Sequence, residues 1–235
     1  MPPVSFGLFQ VDGLNANGIA TAQQTAILGA DDEPATRVEY DGTWQHGIYQ
    51  KFNVTHESRL HLEGRYHNEP INEVIQTHRF TLYKHVDSSL VVARGNKKLV
   101  REALHRLQRQ TTSGFAYRTE SLDLVALAPH VAAPIAGGWF GQLKIHKVNT
   151  VGIFGADVAD SEEWERYEQS GTLQALIIEV EYNDEPMQLM VTREAIVVLY
   201  RDLGEIANLA FLDQIRALLT AASQAIAQTG QGEDG

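Results

Sequence analysis

The chain contains no cysteine. Disulfides, thiolate metal sites and cysteine nucleophiles are therefore excluded. Small secreted domains usually lean on disulfides, so the absence points to a reducing compartment. The longest continuous apolar run is Ala195 to Tyr200, far short of the roughly 20 residues a membrane helix needs. The opening Met1-Pro2-Pro3-Val4-Ser5-Phe6 has neither a basic stretch nor a long apolar one, and is not read as a signal peptide. The cytoplasm is the expected location. Lysine is missing after Lys147 and histidine after His146. Motifs of known chemistry are missing too: there is no G-x-S-x-G, no G-x-x-x-x-G-K-[ST], no G-x-G-x-x-G and no H-E-x-x-H. No catalytic residue, cofactor or metal is assigned, and the reading leans away from an enzyme.

What is present suffices for a folded protein. With 235 residues, 43% of them hydrophobic and 21% charged, the chain can bury a sizeable core. Charge is uneven. Residues 1–154 carry 15 Lys+Arg against 14 Asp+Glu, net +1, and residues 155–235 carry 4 against 16, net −12. The expected organisation follows this shift: a near-neutral mixed half at 1–154 holding all nine histidines, an acidic half at 155–228 packed with it, and a disordered tail at 229–235.

The pattern predicts an α+β fold, with a largely antiparallel sheet, two strand meanders each followed by a helix, and a helical C-terminus. Val4–Val11, 57–66, 80–84 and 90–93 read as strands. Asn96 then caps a helix ending near Gln110, with Leu99, Val100, Ala103, Leu104 and Leu107 on one stripe. Residues 115–128 read as a strand, Ile135–Gly141 as a glycine-rich turn, and 142–147 and 150–154 as strands. Asp160-Ser161-Glu162-Glu163 opens a short helix. In the C-terminal block 176–182, 187–192 and 195–200 form the second meander, with 195–200 expected to be covered on both faces. Asp202 is placed to cap the last helix. Leu62-Glu63, Tyr66 and Glu69-Pro70 recur as Ile178-Glu179, Tyr182 and Glu185-Pro186, 116 residues on, a pattern that a worn duplication or ordinary strand-turn chemistry would both produce.

Several groups of residues invite a functional reading. Arg94, Lys97, Lys98, Arg101, Arg106 and Arg109 gather on the helix at 96–110 against Glu102 alone. Such a basic surface could neutralise phosphates, with free N–H groups at the Gly95-Asn96 helix start adding to it. A solvated outer face, or a face docked on acidic surface, has the same composition. Second, on a regular strand Glu57, Arg59, His61, Glu63, Arg65 and His67 would share one side. However, His61 and His67 would then lie about 20 Å apart, too far for one ion. Glu179 and Glu181 share a strand face without a lysine nearby, and read as an outward face. Third, Trp139 and Phe140 in the glycine-rich turn are candidate anchors for a partner.

The leading expectation is a non-enzymatic interaction protein, a subunit or adaptor of a cytosolic complex, with a protein partner or self-association and no membrane. Nucleic-acid or nucleotide binding through helix 96–110 is the alternative, and a metal-dependent hydrolase or nuclease the second alternative.

Overall fold

A computed structural model describes residues 3–15, 34–44, 47–67, 69–111 and 114–229. The sequence Asp31-Asp32-Glu33-Pro34 reads as a loop and Asn15-Ala16-Asn17-Gly18 as a turn; all but Pro34 and Asn15 of these, with His46 and the tail beyond Thr229, lie outside the described residues. The fold is α+β, with eleven strands and four α-helices among those residues. The chain divides into two compact units, Gly7–Arg118 and Thr119–Gly235, the latter joined by Met1–Phe6. The charge shift near residue 155 falls inside the second unit.

In the first unit, β1 (Val4–Asp12, from Gly7 on), β2 (Thr36–Trp44), β3 (Tyr49–Tyr66), β4 (Glu69–His85) and β5 (Leu90–Arg94) lie in the order β2-β3-β4-β5-β1. β6 (Ala116–Thr119) runs beside β1. The pairs β2–β3, β3–β4 and β4–β5 are antiparallel. Helix α1 (Lys97–Gln110) ends where its apolar stripe predicts. Val100, Ala103, Leu104 and Leu107 bury that stripe against Phe9, Val11, Phe52, Val54, Leu82, Val91 and Ala93 on the sheet.

The strand expected at 57–66 is the outer part of a much longer β3, and 80–84 is only the inner end of β4. Among the described residues these two continue alone beyond the neighbouring strands. β2 leaves β3 at His56, and β5 meets β4 only from Thr81 to Lys84. The remaining hairpin has solvent on both faces, so its sequence lacks the alternation that marks a half-buried strand.

The second unit carries β7 (Ile135–Ile145), β8 (Val148–Phe154), β9 (Thr172–Tyr182), β10 (Glu185–Thr192) and β11 (Ile196–Leu199), antiparallel in the order β11-β10-β9-β7-β8. Its helices are α2 (Leu124–Leu127), α3 (Glu162–Ser170) and α4 (Glu205–Thr229). Ser161 caps α3, as its position before two glutamates predicts. The turn Asn183-Asp184, both with positive φ, closes β9 onto β10, a geometry these two residue types tolerate.

Four expectations shift. Residues 115–128 give only the short β6, then Asp123 accepts from Ala126 N and opens α2 instead of continuing a strand. Ile135–Gly141 is strand β7 rather than a turn. β11 buries Val197 and Leu199 while Ile196 and Val198 stay half-exposed, so one of its faces is only partly covered. Asp202 does not cap α4 directly. Its Oδ1 accepts from Gly204 N and from the buried Asn208 side chain, whose own Oδ1 accepts from Leu203 N. The two recurring patterns occupy equivalent hairpin positions: Tyr66 pairs with Glu69 and Arg65 with Pro70, as Tyr182 pairs with Glu185 and Glu181 with Pro186.

Candidate functional site: the basic helix and the hairpin arm

The six cations expected on one surface are parted by the helix itself. At 3.6 residues per turn, Lys97 and Arg101 stand on one flank of the buried stripe, Arg106 on the other, and Lys98 and Arg109 face outward. Arg94 is the last residue of β5 and half-buried. Lys98 meets Glu102 at 4.0 Å, an exposed i,i+4 pair worth a few tenths of a kcal/mol. Burial, with Arg101 beside it, draws the Lys97 ammonium down to a pKa of about 8. Arg106 Nη1 donates to the Glu57 carbonyl of β3. The helix start is not an open anion seat, because Asn96 Oδ1 already accepts from Lys98 N at 3.0 Å and Leu99 N at 3.4 Å.

What the fold does assemble is a cleft of about 660 Å³ at the root of the hairpin. Arg59 of β3 lines it together with Glu102, His105, Arg106, Arg109 and Gln110 from the second half of α1. Among the described residues, three guanidinium groups and one carboxylate line it. Arg59 also reaches Glu73 of β4 at 3.4 Å, in an exposed pair.

His56 lies at this root, with no solvent exposure at all. Its Nδ1 shares a hydrogen bond of 2.8 Å with Thr36 Oγ1, while its Nε2 has no partner. Removal from water, followed by the Arg106 charge, pushes its pKa down to about 4. His78, its register partner on β4, shares a 3.0 Å hydrogen bond with Ser58. The spacing could have revealed His56, since Phe52, Val54 and His56 alternate on one buried face.

Along the arm, the expected one-sided row from Glu57 to His67 is broken. The pairing shifts between His61 and Gly64, two β3 residues bulging against one on β4. His61 pairs with Glu73 but Arg65 pairs with Pro70, so Arg65 lies on the opposite face from His61. Among the described residues no three His, Asp or Glu side chains are placed to hold a metal ion. In the second unit Glu179 accepts from Gln188 at 3.2 Å and lies on the sheet surface with Glu181.

Trp139 and Phe140 part to opposite faces of β7. Phe140 is fully buried against the Trp164 ring at 5.0 Å, whereas Trp139 is exposed and stacks edge-on with Phe154 at 5.3 Å. Phe154 on β8, the last strand in the order, thus replaces Phe140 as the surface companion of Trp139. No helix among the described residues is long and apolar enough to cross a membrane.

No protein-family model matches this chain, and no curated protein is significantly similar to it.

Proposed function

We propose that this protein is a non-enzymatic interaction protein, a subunit or adaptor of a cytosolic complex, and that its partner docks on the β3–β4 arm. The observation that carries this reading is the arm itself. From Ser58 and Gln76 outward the two strands pair only with each other among the described residues, and Leu60, Leu62 and Ile75 stand exposed on them. A two-stranded ribbon with wet faces is marginal alone, and an open strand edge is a template for another chain.

The test compares the full-length tagged chain with a variant in which Arg59–Ile75 is replaced by an Asn-Gly turn, joining the register partners Ser58 and Gln76. Both are incubated with nuclease-treated extract of the source cells. The full arm is expected to retain a stoichiometric protein partner, and the shortened arm to lose at least about tenfold of it while melting normally. The same proteins held equally by both chains would end this reading.

The cleft favours a second reading, in which Arg59, Arg106 and Arg109 hold the phosphates of a nucleic acid or nucleotide. On this reading Arg106 and Arg109 are kept from the six cations expected on the helix, and Arg59 of the arm root joins them. In anisotropy titrations of a labelled single-stranded oligonucleotide, Arg59→Ala with Arg109→Ala is expected to lower affinity and reduce the log–log salt slope by about 1.4. Binding indifferent to both substitutions removes it.

A further inference from the structure

Positive charge on the first unit is confined rather than spread. Gly7–Arg118 holds 13 Lys+Arg against 12 Asp+Glu, so the unit as a whole offers no basic field. Carboxylates interrupt the cations on both elements that build the cleft. On the arm, Glu73 stands 3.4 Å from Arg59 and 3.9 Å from His61. On α1, Glu102 meets Lys98 at 4.0 Å. A nucleic-acid strand wants a basic groove that follows its backbone over several nucleotides, with aromatic rings on which bases stack. The described lining residues include no Phe, Tyr or Trp. The cleft is thus fitted to an anion, but to a short one.

Helical phase brings the α1 cations to it. Glu102, Arg106 and Arg109 recur at intervals of four and three residues, and stand one above another on the flank turned to β3. Arg106 Nη1 donates to the Glu57 carbonyl of that strand. A guanidinium carries several N–H donors, and a bond to a carbonyl fixes its plane without neutralising its charge. A fork pre-set in this way meets phosphate oxygens in pairs. Arg59 reaches the same space from β3, so the positive charge comes from two walls. The volume of about 660 Å³ is more than one phosphate fills, and lies within the roughly 300–1,000 Å³ usual for small-molecule sites.

We infer that this cleft takes a short polyphosphate, two or three linked phosphates, either free or as the tail of a mononucleotide. The inference rests on the phosphate reading of the cleft and names the ligand's length. Three guanidinium groups on two elements exceed what a single phosphate can engage in pairs, whereas linked phosphates present oxygens to both walls. Glu102, an acceptor among donors, suits hydroxyl groups such as those of a ribose, and His105 and Gln110 add polar edges beside it.

Isothermal titration of the full chain with ADP, AMP and pyrophosphate, without divalent cations, tests this. ADP is expected to bind at least about tenfold more tightly than AMP. Arg59→Ala and Arg109→Ala should each weaken ADP by about tenfold. Both trim exposed side chains, so the variants should melt as the parent does. Arg65→Ala removes the same charge roughly 20 Å further along the arm, beyond the screening length, and should change ADP binding by less than about twofold. Tighter ADP than pyrophosphate would assign the nucleotide, and equal affinities the free anion; each supports the proposal. AMP as tight as ADP, or ADP binding that ignores Arg59→Ala and Arg109→Ala, overturns it. If neither ADP nor pyrophosphate binds while the labelled oligonucleotide is held through Arg59 and Arg109, the phosphate reading stands and the short ligand is wrong. If none of these anions is held through the two arginines, both are overturned.

Discussion

Gly138→Ala is expected to destabilise the second unit by about 2–3 kcal/mol, although it adds a single methyl group. A Cβ at this position would stand 2.6 Å from Cζ3 and 2.8 Å from Cη2 of the Trp164 ring, and 3.1 Å from Leu173 Cδ1. The ring has no room to retreat. Trp164 is buried at 3% exposure and its edge meets the Phe140 ring, itself fully buried. Relief must come from moving α3 off β7 or distorting the strand, and either loosens well-packed core. The control is Gly64→Ala at the arm bulge, where an added Cβ meets nothing within 4 Å. That change should fall within about 0.5 kcal/mol. Urea denaturation of the two variants beside the parent measures both. Equal midpoints for Gly138→Ala and the parent would mean that Trp164 is not held as described.

The same glycine shows why this region was misread. Glycine pairs usually punctuate turns, and Gly137-Gly138 before two aromatics fits that habit. Here the missing side chains make space for a neighbour. Gly138 admits the Trp164 ring, and a Cβ at Gly137 would lie 2.8 Å from the Ile153 carbonyl oxygen. Nothing local in the sequence says that a tryptophan 26 residues on will sit there. Helix α1 was legible because its cap, its apolar stripe and its end all point the same way, from Asn96 to Gln110. The outer part of β4 was not, since strand alternation records burial on one face and this segment has none. The site divided along similar lines. The six cations were visible as residue types, but their grouping depends on helical phase and on what each flank meets. Arg59 was seen only as part of a strand face, and its place in a cleft with Arg106 and Arg109 arises from packing between β3 and α1. That the outer part of β4 pairs only with β3 among the described residues is a property of strand order, and strand order is set by long-range pairing.

His56 gives the first unit an acid-sensitive core. In the unfolded chain its imidazole titrates near the ordinary value of 6.5, while in the fold burial and the Arg106 charge hold it at about 4. Above the unfolded value both states are neutral at this site, and stability does not depend on its titration. As pH falls below 6.5 the unfolded chain binds a proton that the fold refuses, so unfolding gains about 1.4 kcal/mol per pH unit. The loss ends near pH 4, where the folded site accepts the proton too, and totals about 3 kcal/mol. Other charges around the ring temper the effect without reversing it: Glu102 and Glu57 favour the imidazolium, while His78 opposes it. His56→Gln keeps a polar partner for Thr36 Oγ1 and cannot titrate, so it isolates the contribution. Urea midpoints taken between pH 7.5 and pH 4 are expected to fall more steeply for the parent than for the variant, with the two curves diverging below pH 6.5 and running parallel above it. Curves parallel throughout would show that water or an acidic neighbour reaches Nε2 in solution, and that the unpartnered nitrogen is not sealed in the core. If the curves diverge as expected, the arm root is most stable at neutral pH, because the same residue that closes the core beneath α1 loosens it on acidification.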